Sequence, residues 1–178
     1  AIISGGSRGL GFETARGLAA RGFDLALIAK DVDRLNGARQ SMLNEFSQGN
    51  QLLSITTYAA DLEDQSQARK VADEINASLP VAQVLVLAHG VMSEKMSKTL
   101  RTTDTEWNRV MAINLNSVFT LVNTIAPAMT EARNGRVIIY SACLGRMSGP
   151  GNAGGLAPYR ISKAGVNALV RNLAHETG

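Results

Sequence analysis

The chain has 178 residues, 45% hydrophobic and 19% charged, with a net charge of +3. That length suits one domain with a sizeable core. The scattered basic residues and 4% aromatics provide neither a dense cationic face nor a stacking platform for nucleic acid. The single Cys143 forms no internal disulfide, which fits a reducing, cytoplasmic setting. Two histidines and one cysteine argue against a structural zinc site. Neither a membrane-spanning run nor a signal peptide is expected. The chain starts at Ala1 in what reads as mid-strand and stops at Gly178 just past a helical pattern, so both ends are expected to be cut.

In chain order, Ala1-Ile2-Ile3-Ser4 predicts a short strand, followed by the turn Gly5-Gly6-Ser7-Arg8-Gly9-Leu10-Gly11 and a helix stopping near Arg21-Gly22. Strand, glycine turn and helix together form the setting in which backbone N–H groups meet a pyrophosphate. Residues 23–29 predict a second strand, buried on both faces, with Lys30 at its carboxyl end. That end meets the adenosine ribose in an open α/β sheet. A cation there, with Arg8 in the turn, favours the 2′-phosphate of NADP(H), while Asp31 one residue on works the other way.

A helix is expected over 33–46, and a third strand from Leu52 through Tyr58 into Asp61-Leu62. The next helix opens on the capping box Asp64…Gln67 and ends at Pro80. Residues 84–88 predict the fourth strand, and His89 after it reads as structural rather than catalytic. Thr103…Glu106 is a second capping box, opening a long helix over 104–131 that Pro127 ends or bends. Asn114 sits among apolar neighbours there, either buried with partners or exposed. Residues 137–141 predict the fifth strand, and a helix follows over 158–176. This β-α alternation predicts an α/β fold: one domain over 1–178 with a doubly wound parallel sheet of Rossmann type.

Tyr159 and Lys163, four apart on that last helix, share a face. An ammonium beside a phenol favours phenolate, lowering the tyrosine pKa toward the working pH of an acid/base catalyst.

With the glycine turn, Asn114 and Tyr159-x3-Lys163 in this order, the whole chain resembles the short-chain dehydrogenase/reductase family. The turn matches T-G-x3-G-x-G with Ser4 in the threonine slot. Asp61-Leu62 falls where the family contacts adenine, and Asn114 falls on its helix asparagine. The resemblance implies cofactor contacts from Gly5, Ser7, Arg8, Gly9, Leu10, Gly11, Lys30, Asp61, Leu62, Gly90, Tyr159 and Lys163. It implies that Tyr159 exchanges a proton with a carbonyl or alcohol substrate while nicotinamide exchanges hydride. Lys163 would lower the tyrosine pKa and hold the nicotinamide ribose, and Asn114 would hold a water leading from Lys163 to solvent.

The chain departs from the family in three places. Leu87-Ala88-His89-Gly90 replaces N-N-A-G, leaving only the glycine. Ala142, in Ser141-Ala142-Cys143-Leu144-Gly145, replaces the substrate-orienting serine, so Ser141, Ser148 or no hydroxyl takes that part. The family's later strands and its loop over the nicotinamide would follow Gly178. Oligomer formation through the helices at 104–131 and 158–176 is a family-level expectation. The other reading is an NADP(H)-binding or regulatory relative impaired in catalysis. A methyltransferase-type domain gives no reason for Tyr159, Lys163 and Asn114 together.

Overall fold

In the computed structural model, residues 1–47, 53–94, 96–146 and 155–178 are described. The predicted strand start at Leu52, the hydroxyl of Ser148 and the glycine run at 149–154 lie outside them.

Period-two burial shapes the sheet. Strands β1 (Ile2–Ser4), β2 (Leu25–Ala29), β3 (Ile55–Ala59), β4 (Val84–Leu87) and β5 (Arg136–Ile139) lie in the order β3-β2-β1-β4-β5, all parallel. Ile3, Leu25, Leu27 and Val86 face one layer, where they pack with Ala15 and Ala19 of α1 (Gly9–Ala19) and Leu35 and Met42 of α2 (Val32–Phe46). Ile2, Ala26, Ile28, Leu85 and Leu87 face the other. There they meet α3 (Gln65–Ser78), α5 (Ser117–Glu131) and α6 (Ala157–Thr177) through Val71, Leu121, Ile125 and Val166. Both faces of the sheet are therefore covered, as the unbroken apolar strands require. The α/β doubly wound, single-domain expectation holds.

Element ends differ from the predicted ones by one to a few residues. Two differences reflect physical causes. The helix expected over 104–131 is α4 (Asp104–Met111) and α5 joined by a π turn at Ala112–Asn116. Pro127 does not end it: α5 runs through to Glu131. Neither predicted capping box closes reciprocally. Asp64 accepts from the Ser66 and Gln67 amides, and Thr103 accepts from the Glu106 amide, as expected. The Glu106 carboxylate, however, accepts from the Glu94 amide at 2.7 Å and pairs with Arg109 at 3.0 Å. It anchors the loop after β4 instead of its own helix.

The stretch Asp104–Glu131 is long and apolar enough to cross a bilayer by those two measures, against expectation. Its Val118, Leu121, Val122, Ile125 and Met129 instead pack into the core.

Candidate active site

In a parallel sheet every strand delivers its carboxyl end to the same edge, and neighbouring crossovers diverge between β1 and β4. At that edge lies a cleft of about 610 Å³ lined by Gly5, Ser7, Arg8, Lys30, Asp61, Leu62, His89 and Gly90 among others. Residues far apart in sequence meet here because each follows a strand. Larger cavities lie elsewhere, as at the amino ends of β1 and β2, but they are distant from these residues.

The glycine turn is shaped by close backbone approach. Gly5 has φ +71°, and a Cβ there would stand 2.9 Å from the His89 nitrogen. Gly9 has φ +57°, a left-handed conformation that costs a side-chain-bearing residue about 1 kcal/mol or more. A Cβ on Gly11 would press against the Gly5 carbonyl, with its carbon at 2.8 Å. Ser7 is half-buried, while Arg8 and Leu10 are exposed at the start of α1. The turn thus has no room for side chains at Gly5 and Gly11, and the Gly5 amide is held by the Ile28 carbonyl at 2.8 Å.

At the adenosine end, Lys30 is not free. Its ammonium pairs with Asp61 at 2.5 Å, and that contact raises the lysine pKa. For Asp61 burial acts upward, but the hydrogen bonds from Lys30 and the Glu63 amide outweigh it, and the carboxyl ends below its ordinary value. Two residues assigned separate roles in sequence are therefore partners across the cleft. Asp31 caps α2 by accepting from the Arg34 amide at 3.0 Å and pairs with the Arg34 guanidinium at 3.1 Å. Its carboxylate is thus engaged with Arg34 at the start of α2.

Tyr159 and Lys163 rise from the first turns of α6, whose start carries Pro158 as helix starts favour. Lys163 is buried, and its ammonium donates to the Tyr140 carbonyl at 2.8 Å. Among the described residues that carbonyl is its acceptor, and no carboxylate faces it. Burial accordingly lowers the lysine pKa. A Cβ on Gly90 would stand 3.4 Å from this ammonium and 3.3 Å from Asn114 Oδ1. The missing side chain at Gly90 brings the loop after β4 down onto the pair.

Asn114 is fully buried, resolving its two readings. Its carboxamide accepts from the Val91 amide at 2.8 Å and donates to the Val91 carbonyl at 2.9 Å and Ser162 Oγ at 3.1 Å. Ser162 in turn donates to the Tyr159 carbonyl at 2.8 Å. The side chain is thus committed to protein partners, a role its position in sequence did not disclose.

Two expectations about chemistry change. The phenol of Tyr159 is not lowered: burial first, and the neighbouring Cys143 second, push it above its ordinary value. The physical reason is that the Lys163 ammonium is directed at the Tyr140 carbonyl. Ser141 Oγ donates to the Lys163 carbonyl at 3.3 Å, so its hydrogen is already engaged on α6.

His89 Nδ1 lies 2.5 Å from Ser4 Oγ, and Nε2 lies 2.8 Å from Ser117 Oγ and 3.1 Å from the Ile113 carbonyl. Burial, then the charge of Lys163, push its pKa from 6.5 down to about 4. Between those values the unfolded chain binds the proton and the folded one does not. Stability from this site is therefore complete above pH 6.5 and is lost as the pH falls toward about 4. Melting curves of native and His89→Gln protein over that range check this, and the native Tm is expected to fall more steeply.

The family model described as short chain dehydrogenase matches residues 1–178. The chain is 33% identical over 176 residues to the 3-oxoacyl-[acyl-carrier-protein] reductase FabG of Escherichia coli, covering 99% of this chain and 66% of the relative. It is 27% identical to nodulation protein G of a Rhizobium species, again covering 66% of it. Among solved structures, a metagenomic short-chain oxidoreductase in complex with NADP superposes with a TM-score of 0.86 at 29% identity. That match covers 99% of this chain and 75% of the other. The chain thus spans just under two thirds of the length of the curated relatives it matches. With its glycine turn, Asn114, Tyr159 and Lys163 set around one sheet edge, it belongs to the short chain dehydrogenase family.

Proposed function

We propose that the protein is an NADP(H)-dependent oxidoreductase that interconverts a carbonyl and an alcohol, with Tyr159 as the acid/base. The observation that carries this reading is Lys163, a buried ammonium that among the described residues has one acceptor and no counter-ion. A charge left so poorly compensated is costly, and such groups gather where a ligand completes their contacts.

The cleft fits a dinucleotide. Gly5, Gly9 and Gly11 keep the turn free of side chains where the pyrophosphate would approach, and Arg8 and Lys30 flank the adenosine end. Ser7 and Leu62 line the same cleft, and we place the nicotinamide ribose against Gly90 beside Lys163. The bound cofactor supplies the hydride. Tyr159, held protonated by its raised pKa, has the proton that a carbonyl oxygen takes up during reduction. Asn114 and Ser162 fix the Tyr159–Lys163 turn against the loop after β4, so the pair keeps its orientation. Ser141 can steady the substrate oxygen in place of Ala142 only by releasing its hydrogen bond to the Lys163 carbonyl. NADPH oxidation with a panel of ketones, headed by 3-oxoacyl thioesters as the relatives' names suggest, tests the reading.

Lys30→Ala is expected to weaken NADPH binding by about tenfold and leave NADH within about twofold, as loss of one charged hydrogen bond implies. Equal affinity of the native protein for both nucleotides would remove the 2′-phosphate argument. We place the protein in the cytoplasm as a homo-oligomer, with the exposed Phe119 on α5 and Ile161 and Val170 on α6 as faces for a second copy. Size-exclusion chromatography with light scattering checks the latter.

A second reading, an NADP(H)-binding relative without turnover, is favoured by Ala142 and by the engagement of Ser141 on Lys163. Tight NADPH binding with no oxidation by any carbonyl would support it over the first.

A further inference from the structure

We propose that His89 is a positioning residue that holds open the π turn carrying Asn114, and through it sets the loop that lies over Lys163. In a π turn one backbone hydrogen bond is displaced, and such a turn persists where something outside the ladder compensates. Here the Ser117 amide bonds to the Ala112 carbonyl, five residues back. The Ile113 carbonyl thereby loses the amide that an α-helix would supply from Ser117. It is satisfied instead by Ser117 Oγ at 2.7 Å and by His89 Nε2 at 3.1 Å.

The hydrogen positions follow from the partners. A carbonyl only accepts, so Nε2 carries the hydrogen and Nδ1 is the acceptor. Ser4 Oγ, at the end of β1, donates to Nδ1 at 2.5 Å. Ser117 gives its own hydrogen to Ile113, so its oxygen accepts from Nε2 at 2.8 Å. A neutral imidazole thus ties the carboxyl ends of β1 and β4 to both shoulders of the π turn. Between those shoulders sits Asn114, whose amide fixes both polar atoms of the Val91 backbone. Val91 follows Gly90, the residue lying over the Lys163 ammonium.

The physical consequence is directional. Without the imidazole, Ile113 keeps only a hydroxyl partner and Ser4 loses its acceptor. The turn is then free to relax toward regular α-helix, which rotates Asn114 away from Val91. Glutamine presents one acceptor and an N–H donor much as the neutral ring does, so it should substitute in part.

Amide hydrogen exchange on native, His89→Ala and His89→Gln protein tests this. In His89→Ala, exchange at the Val91 and Ser117 amides is expected to quicken by about tenfold, with the amides of β2 and α3 within about twofold of native. His89→Gln is expected to restore most of the protection. Unchanged exchange at Val91 and Ser117, or a uniform rise along the chain that glutamine does not reverse, would overturn the proposal and leave His89 as core filling. Should the alanine variant not fold, His89→Gln set against His89→Leu, a side chain of similar volume without polar atoms, reads the same contrast. A kinetic arm rests on the oxidoreductase reading: kcat should drop in His89→Ala and recover in His89→Gln. If no carbonyl is turned over at all, that reading fails while the exchange result still decides the role of His89.

Discussion

Tyr159→Phe is expected to lower NADPH-driven carbonyl reduction by about 10²–10⁴-fold, the range that a positioned proton donor contributes. The substitution removes one oxygen and keeps the ring, which is half-buried at the start of α6. Among the described residues the hydroxyl makes no hydrogen bond that the fold would miss. Tm and NADPH affinity should therefore stay near native, and the loss should appear in kcat. The raised pKa of the phenol gives this prediction a direction: the group is protonated at neutral pH, ready to give a proton to a carbonyl oxygen. Comparing steady-state rates and NADPH binding by fluorescence in the two proteins checks it. A variant as active as the native protein would place the acid elsewhere.

Gly11→Ala is expected to cost about 1–3 kcal/mol of stability, or roughly 2–12 °C in Tm, and to weaken NADPH binding by about tenfold or more. The added Cβ has nowhere to go. It would meet the Gly5 carbonyl group and come within 3.3 Å of Ala88 Cβ. Gly5 is held in place, with a φ of +71° and its amide bonded to the Ile28 carbonyl at 2.8 Å. Any accommodation therefore opens the turn at the place where a pyrophosphate would rest. Gly17→Ala on the same helix is the control. Its nearest neighbour would be the mobile end of Arg21 at 3.6 Å, so replacing a mid-helix glycine should stabilise by about 0.5–1 kcal/mol. Thermal melts and nucleotide titrations of both variants separate a local clash from a general intolerance of change in α1. A Gly11→Ala protein that melts and binds like the native one would contradict the packing of the turn.

Much of this arrangement was legible in sequence because it depends on local periodicity. The apolar runs of β2 and β4 could only be strands buried on both faces, and their alternation with helices admits few topologies. The glycine spacing and Tyr159-x3-Lys163 likewise reflect needs met within one turn or one helix. The π turn at Ala112–Asn116 was not legible: its apolar stripe passes for a continuous helix, and the ring that meets the Ile113 carbonyl there belongs to His89, 24 residues earlier. Glu106 shows the same limit. Its spacing from Thr103 reads as a capping box, but its carboxylate is recruited by the Glu94 amide and by Arg109 on the same helix.

The sequence by itself determined the α/β order, the glycine turn and the placing of Tyr159 and Lys163 one helical turn apart. Only the tertiary structure decided how those groups are employed. It directed the Lys163 ammonium to the Tyr140 carbonyl, committed Asn114 to Val91 and Ser162, paired Lys30 with Asp61 and engaged Ser141 on α6. The reason is geometric. Periodicity fixes which face of an element is buried, but the partner of a polar group is chosen among strand ends that are distant in sequence and meet at one sheet edge.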